Sequence, residues 1–172
     1  YKSILQDVQA LTPKYIAISY ISREFWLQIK PLLENKKLKH NSRVIIIKIE
    51  KDIPESELAS IFADELCDMV LLDRGELGVN VPFQKIGVIQ EEAIKLSKQS
   101  GKKIIISTHI LESTANNFIP NRSDILDLTH IVLSGADGIM FCDETGVGSR
   151  PSYTISIAKK IIEEVTRYLK SK

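Results

Sequence analysis

The sequence predicts an α/β fold, with about five parallel βα units forming an incomplete segment of a (β/α)8 TIM barrel. Three observations carry this. Short, almost wholly apolar runs rich in β-branched residues alternate with helical patterns, as strands covered on both faces must. Strict alternation of strand and helix means a parallel sheet, either doubly wound or a barrel. Polar residues stand at the C-terminal ends of successive runs: Ser19, Lys48 with Glu50, Arg74 with Glu76, Ser107 with Thr108, and Asp143 with Glu144. A doubly wound sheet would gather them at one switch point. Polar ends on strand after strand favour a barrel wall, whose active face lies there. A closed barrel has eight strands, so about three are lacking.

Each element has its own reason. Tyr15 to Tyr20 reads as a strand, and Arg23 to Leu33 as a helix with Phe25, Trp26, Ile29 and Leu32 on one stripe. Val44 to Ile49 is a strand, and Pro54 to Phe62 a short helix with proline near its first turn. Met69 to Leu72 is a strand. Gln84 to Ser100 is a helix closed by Gly101 as its C-terminal cap. Lys103 to Ser107 is a strand, Asn121 to Ser134 mainly helix, and Asp137 to Phe141 a strand. Tyr153 to Leu169 is a long helix that should bury Ile155, Ala158, Ile161, Ile162 and Val165. No linker or low-complexity stretch divides the chain, so residues 1–172 are expected to form one unit.

The bulk composition narrows the classes. Of 172 residues, 44% are hydrophobic and 26% charged, the balance of a globular domain able to bury a core. The net charge is +1 with basic residues dispersed, which gives no nucleic-acid footprint. The basic run at residues 36–40 reads as a solvated loop. Two cysteines, Cys67 and Cys142, lack zinc-like spacing and fit reduced thiols inside a cell. No apolar run is long enough to span a membrane. The expected compartment is the cytoplasm. The chain opens on Tyr1 rather than methionine, which leaves an organelle open.

Lys48 and Glu50 stand two apart at a strand end, so both should point to one face. Glu76 follows the next strand, where a turn begins. A lysine and two carboxylates at the mouth of a parallel sheet suit a divalent metal together with a phosphorylated acid. Gly75 lets an anion approach the backbone, and a helical turn starting there would offer free N–H groups. Thr108 ends the following strand with a hydroxyl. His109, next along, should point to the opposite side and pack. Arg74 reads either as a structural salt bridge or as a site residue, and Trp26 as core under the helical shell. Gly146 and Gly148 fit a turn better than a phosphate loop.

These motifs resemble pyruvate kinase. Lys48-Ile49-Glu50, Arg74 to Val79, Gly101-Lys102, Ser107-Thr108-His109, Leu111-Glu112-Ser113, Pro120-Asn121-Arg122, Gly135 to Met140 and Glu144-Thr145 fall in that family's order and spacing, from about Ile4 to the last helix. The resemblance implies the fourth to eighth strands of a phosphoenolpyruvate/pyruvate-type barrel, without lid or C-terminal regulatory domain in this chain. It implies phosphoryl transfer from phosphoenolpyruvate to ADP, giving pyruvate and ATP. Catalysis would fall to Lys48 and Thr108, and substrate binding to Lys48, Gly75, Glu76 and Thr108. Glu50 and Glu76 would hold Mg²⁺ (or Mn²⁺), and Ser19 would stand near a K⁺ site. It further implies a homo-oligomer, a tetramer in the family, with neither nucleic acid nor membrane as partner. The family usually has aspartate at Glu76, a small residue at Asp73, glutamine at His109 and Ser-Gly at Cys142-Asp143. Those departures keep open a catalytically degenerate structural subunit.

Overall fold

The computed structural model describes residues 10–11, 13–34 and 43–172. The basic run at residues 36–40 lies outside them. Five parallel strands form one sheet in sequential order: β1 (Tyr15–Ile18), β2 (Val44–Ile49), β3 (Met69–Asp73), β4 (Lys103–Ser107) and β5 (Gly138–Met140). Every neighbouring pair is parallel. The strands follow one another around a wall that does not close. The helices are α1 (Arg23–Glu34), α2 (Glu55–Phe62), α3 (Arg74–Asn80), α4 (Ile86–Gln99), α5 (Arg122–Leu133), α6 (Asp143–Gly146) and α7 (Pro151–Lys170).

Alternation along the strands builds the core. Ile47, Ile49, Val70, Leu72, Ile104 and Ile106 are fully buried and pack in one cluster with Ile61, Phe62, Ile94 and Trp26 from the helices. Residues of the other parity, among them Lys48, Leu71 and Ile105, align across the strands in register. That second parity carries the site. A smaller cluster joins Ile110 and Leu111 to Leu128 of α5 and Ala158 of α7.

Trp26 is buried as expected, and its Nε1 donates to Asp64 Oδ2 at 3.1 Å. Gly101 caps α4 with φ of +66°. Two expectations need correction. Ile155 is exposed, because α7 turns Thr154, Ala158 and Val165 inward instead. Thr108 and His109 lie beyond β4, at φ of 72° and 56°. Strand parity therefore stops at Ser107, and the His109 side chain is exposed rather than packed. The turn expected at Gly146 and Gly148 is present at the end of α6, where Gly148 N donates to Asp143 O at 2.8 Å.

Candidate active site

The site is assembled from the strand ends outward. Lys48 is the penultimate residue of β2, and Glu50 follows the strand. Equal parity brings them together: Lys48 Nζ donates to Glu50 Oε1 at 2.5 Å. Glu50 is 1% exposed, so its charge needs those partners. Its other oxygen, Oε2, accepts the main-chain N–H of Tyr20.

Asp73 ends β3 and is the second partner of Lys48, at 3.2 Å through Oδ2. Its Oδ1 accepts the Thr108 hydroxyl at 2.9 Å and the Glu76 main-chain N–H at 3.5 Å. It is therefore the N-cap of α3 as well. A helical turn does begin at Arg74, but Asp73 takes one of the N–H groups the sequence assigned to a substrate anion. Burial works against the Lys48 charge, yet the hydrogen bonds to Glu50 and Asp73 outweigh it and hold the ammonium above the usual lysine range. Burial likewise opposes the Asp73 charge. The hydrogen bonds from Thr108 and Lys48 prevail and hold its carboxyl below the usual range.

Gly75 sits against Thr108: a Cβ there would come within 2.8 Å of Thr108 Cγ2. Only glycine lets α3 start this close to the end of β4. Thr108 Oγ1 also lies 3.6 Å from Cys142 Sγ. Ser19 Oγ accepts from Lys48 Nζ at 3.4 Å. The mouth of the sheet thus brings together Ser19, Lys48, Glu50, Gly75, Glu76 and Thr108, the residues the sequence singled out.

Several contributors escaped sequence reasoning. The Tyr20 hydroxyl donates to Glu76 Oε2 at 2.5 Å, so one residue touches both candidate metal carboxylates. That contact raises the tyrosine pKa above its usual value. Asn80 Nδ2 donates to the main-chain oxygens of Glu50, at 3.0 Å, and Glu76, at 2.8 Å. Arg74 pairs with Asp127 of α5 at 2.8 Å and also donates to the carbonyls of Thr108 and His109. Arg74 is thus the structural salt bridge of its two readings. Glu144 is 1% exposed and accepts from Ile110 N at 2.8 Å and Cys142 N at 2.7 Å, tying the β4 loop to the β5 end. Tyr20 offered one signal in the sequence, its place directly after Ser19 at a strand end.

The donor chemistry suits a hard divalent cation. Glu50 and Glu76 supply carboxylate oxygens: both of Glu50's accept from Lys48 and the Tyr20 N–H, while no described hydrogen bond engages Glu76 Oε1. Among the described residues no group of three or more histidines, cysteines or acids could hold a metal. An ion here would take one or two carboxylates and complete its shell from substrate and water, the habit of Mg²⁺ at phosphoryl-transfer sites. Among the described residues no helix is long and apolar enough to cross a membrane.

Comparison with known proteins places this arrangement. The family model described as "Pyruvate kinase, barrel domain" matches residues 5–155. A pyruvate kinase from Thermotoga maritima is 34% identical over 132 residues, covering 76% of this chain and 28% of that protein. One from Methylorubrum extorquens is 29% identical over 153 residues, covering 89% of this chain and 30% of that protein. One from Thermococcus litoralis is 28% identical over 157 residues, covering 91% of this chain and 32% of that protein. The chain therefore spans less than a third of the length of these relatives. A barrel-domain match over most of its length shows that the chain belongs to the pyruvate kinase family.

Proposed function

We propose that the intact protein transfers a phosphoryl group from phosphoenolpyruvate to ADP, yielding pyruvate and ATP. The observation that carries this is the convergence of Lys48, Glu50, Asp73 and Thr108 at one strand mouth. In the reaction the enol P–O bond breaks, a P–O bond to ADP forms, and the enolate carbon takes a proton. Such transfer depends on positioning and charge neutralisation more than on covalent chemistry.

Lys48 supplies a permanent positive charge to the phosphoryl group in flight, because its partners hold it protonated. Gly75 and the Glu76 backbone give the substrate carboxylate close access to the chain. Thr108 positions the proton that reaches the enolate. Mg²⁺ or Mn²⁺, when bound, would neutralise charge on the substrate oxygens. Glu50 and Glu76 are its proposed protein ligands, and Ser19 lies beside a proposed K⁺ site. Residues 1–172 act as the second part of the barrel domain within a larger homo-oligomeric assembly in the cytoplasm. The degenerate-subunit alternative is not favoured, since Lys48, Glu50 and Thr108 stand together in a chain whose relatives are named pyruvate kinases.

The test is turnover of the intact protein, coupling pyruvate formation to NADH oxidation, with Lys48→Met as control. Loss of this one charge should lower kcat by about 10²–10³-fold. Turnover that ignores the lysine would overturn the assignment.

A further inference from the structure

We infer that Tyr20 is a positioning residue that sets the geometry of the two carboxylates, Glu50 and Glu76. This rests on reading them as ligands of a divalent cation. Tyr20 stands two residues beyond β1 with φ of 53°. A bulky residue keeps this left-handed conformation only where its surroundings impose it. Here the conformation has a consequence. It aims the Tyr20 N–H at Glu50 Oε2 while the side chain crosses to Glu76 Oε2.

The phenol contact answers a specific need. Glu76 has one more rotatable bond than aspartate and leaves α3 near its first turn, so its carboxylate could occupy many positions. A Tyr side chain has only two torsions, and a 2.5 Å O–H to carboxylate bond is of the charge-assisted kind. It fixes one Glu76 oxygen and leaves Oε1 without a described partner. Asn80 adds an independent tie by bonding the main-chain oxygens of the same two glutamates. Side chains and backbones of Glu50 and Glu76 are thus each cross-linked by one residue. Groups that orient metal ligands in this way typically contribute 10–100-fold in affinity.

The test is Mn²⁺ binding to the intact protein, followed by the electron paramagnetic resonance of free Mn²⁺. It compares the wild type, Tyr20→Phe, Glu76→Asp and the double variant. Tyr20→Phe should weaken binding by about 10–100-fold. In the Glu76→Asp background, whose shorter carboxylate falls away from the phenol, the same change should have little effect. Equal losses in both backgrounds would overturn the inference. So would unchanged affinity in Tyr20→Phe while Glu50→Gln and Glu76→Gln abolish binding. A wild type that binds no more Mn²⁺ than those two Gln variants overturns the ligand reading itself, and this inference with it. A second measurement isolates Tyr20 among the chain's five tyrosines: saturating Mg²⁺ should perturb the tyrosine ultraviolet spectrum of the wild type and not that of Tyr20→Phe. A silent spectrum counts against the role assigned to Tyr20.

Discussion

The guanidinium of Arg74 binds the main-chain oxygen of Thr108 through two nitrogens, at 3.0 Å from Nε and 2.7 Å from Nη2. The same side chain pairs with Asp127 at 2.8 Å. Thr108 is left-handed, so its carbonyl finds no strand partner and the planar fork supplies one. Arg74 is therefore what holds the candidate threonine in place after β4 ends.

Arg74→Lys should destabilise the protein by about 2–4 kcal/mol, because donors on a single nitrogen cannot span the two carbonyls and the carboxylate that the planar fork reaches through three nitrogens. Chemical denaturation measures it. A loss no larger than a typical exposed ion pair, under about 1 kcal/mol, would show that the fork does not organise the loop.

Asp73 occupies both Lys48 and Thr108, and it is held ionised by them. In the proposed reaction an anionic substrate approaches this fixed negative charge. Asp73→Ala should lower the KM for phosphoenolpyruvate by about tenfold, as removal of one partly screened like charge predicts. It should also cost about 1 kcal/mol of stability through loss of the α3 cap. A KM that rises instead would make Asp73 a residue that orients the lysine.

Two glycines should respond oppositely to alanine. At Gly75 the new Cβ would meet Thr108 Cγ2 at 2.8 Å, and the threonine could yield only by leaving Asp73. Gly75→Ala should cost about 1–3 kcal/mol and lower kcat by about 10²-fold. Gly87, inside α4, has nothing within 4 Å of its Cβ position. Gly87→Ala should stabilise by about 0.5–1 kcal/mol through helix propensity alone. Thermal melting and steady-state kinetics separate the pair.

The contrast between those glycines shows what could be read in the chain and what could not. The strands were legible because burial on both faces leaves no choice but continuous apolar runs such as Val44–Ile49. Lys48 and Glu50 were legible as neighbours because strand parity is strict. Helices α3 and α6 were not, since seven and four residues are too few for a helical period to emerge. The left-handed turn at Thr108 and His109, and with it the way His109 faces, escaped because parity ends where the strand does. Tyr20 and Glu76 lie 56 positions apart, and Arg74 and Asp127 lie 53 apart. Such partners are chosen by the packing of strand ends and helices around the sheet, which no local pattern encodes.

Asp64 offers a pH test far from the strand mouth. Its carboxylate accepts from Lys30 Nζ at 2.7 Å, Leu66 N at 3.1 Å and Trp26 Nε1 at 3.1 Å. Burial alone would raise its pKa, but these donors outweigh burial and hold it below the usual aspartate value. The unfolded chain therefore takes up the proton first as pH falls. The stabilisation is complete above the ordinary aspartate range and disappears as pH drops through the depressed folded value. Asp64→Asn should cost about 1–2 kcal/mol at neutral pH, a few degrees in Tm for a domain of this size. The melting curves of wild type and variant should converge as the solution is acidified below the ordinary aspartate range. A gap that stays constant down to strong acid would mean that packing around Trp26, and not the ionised carboxylate, supplies the stability.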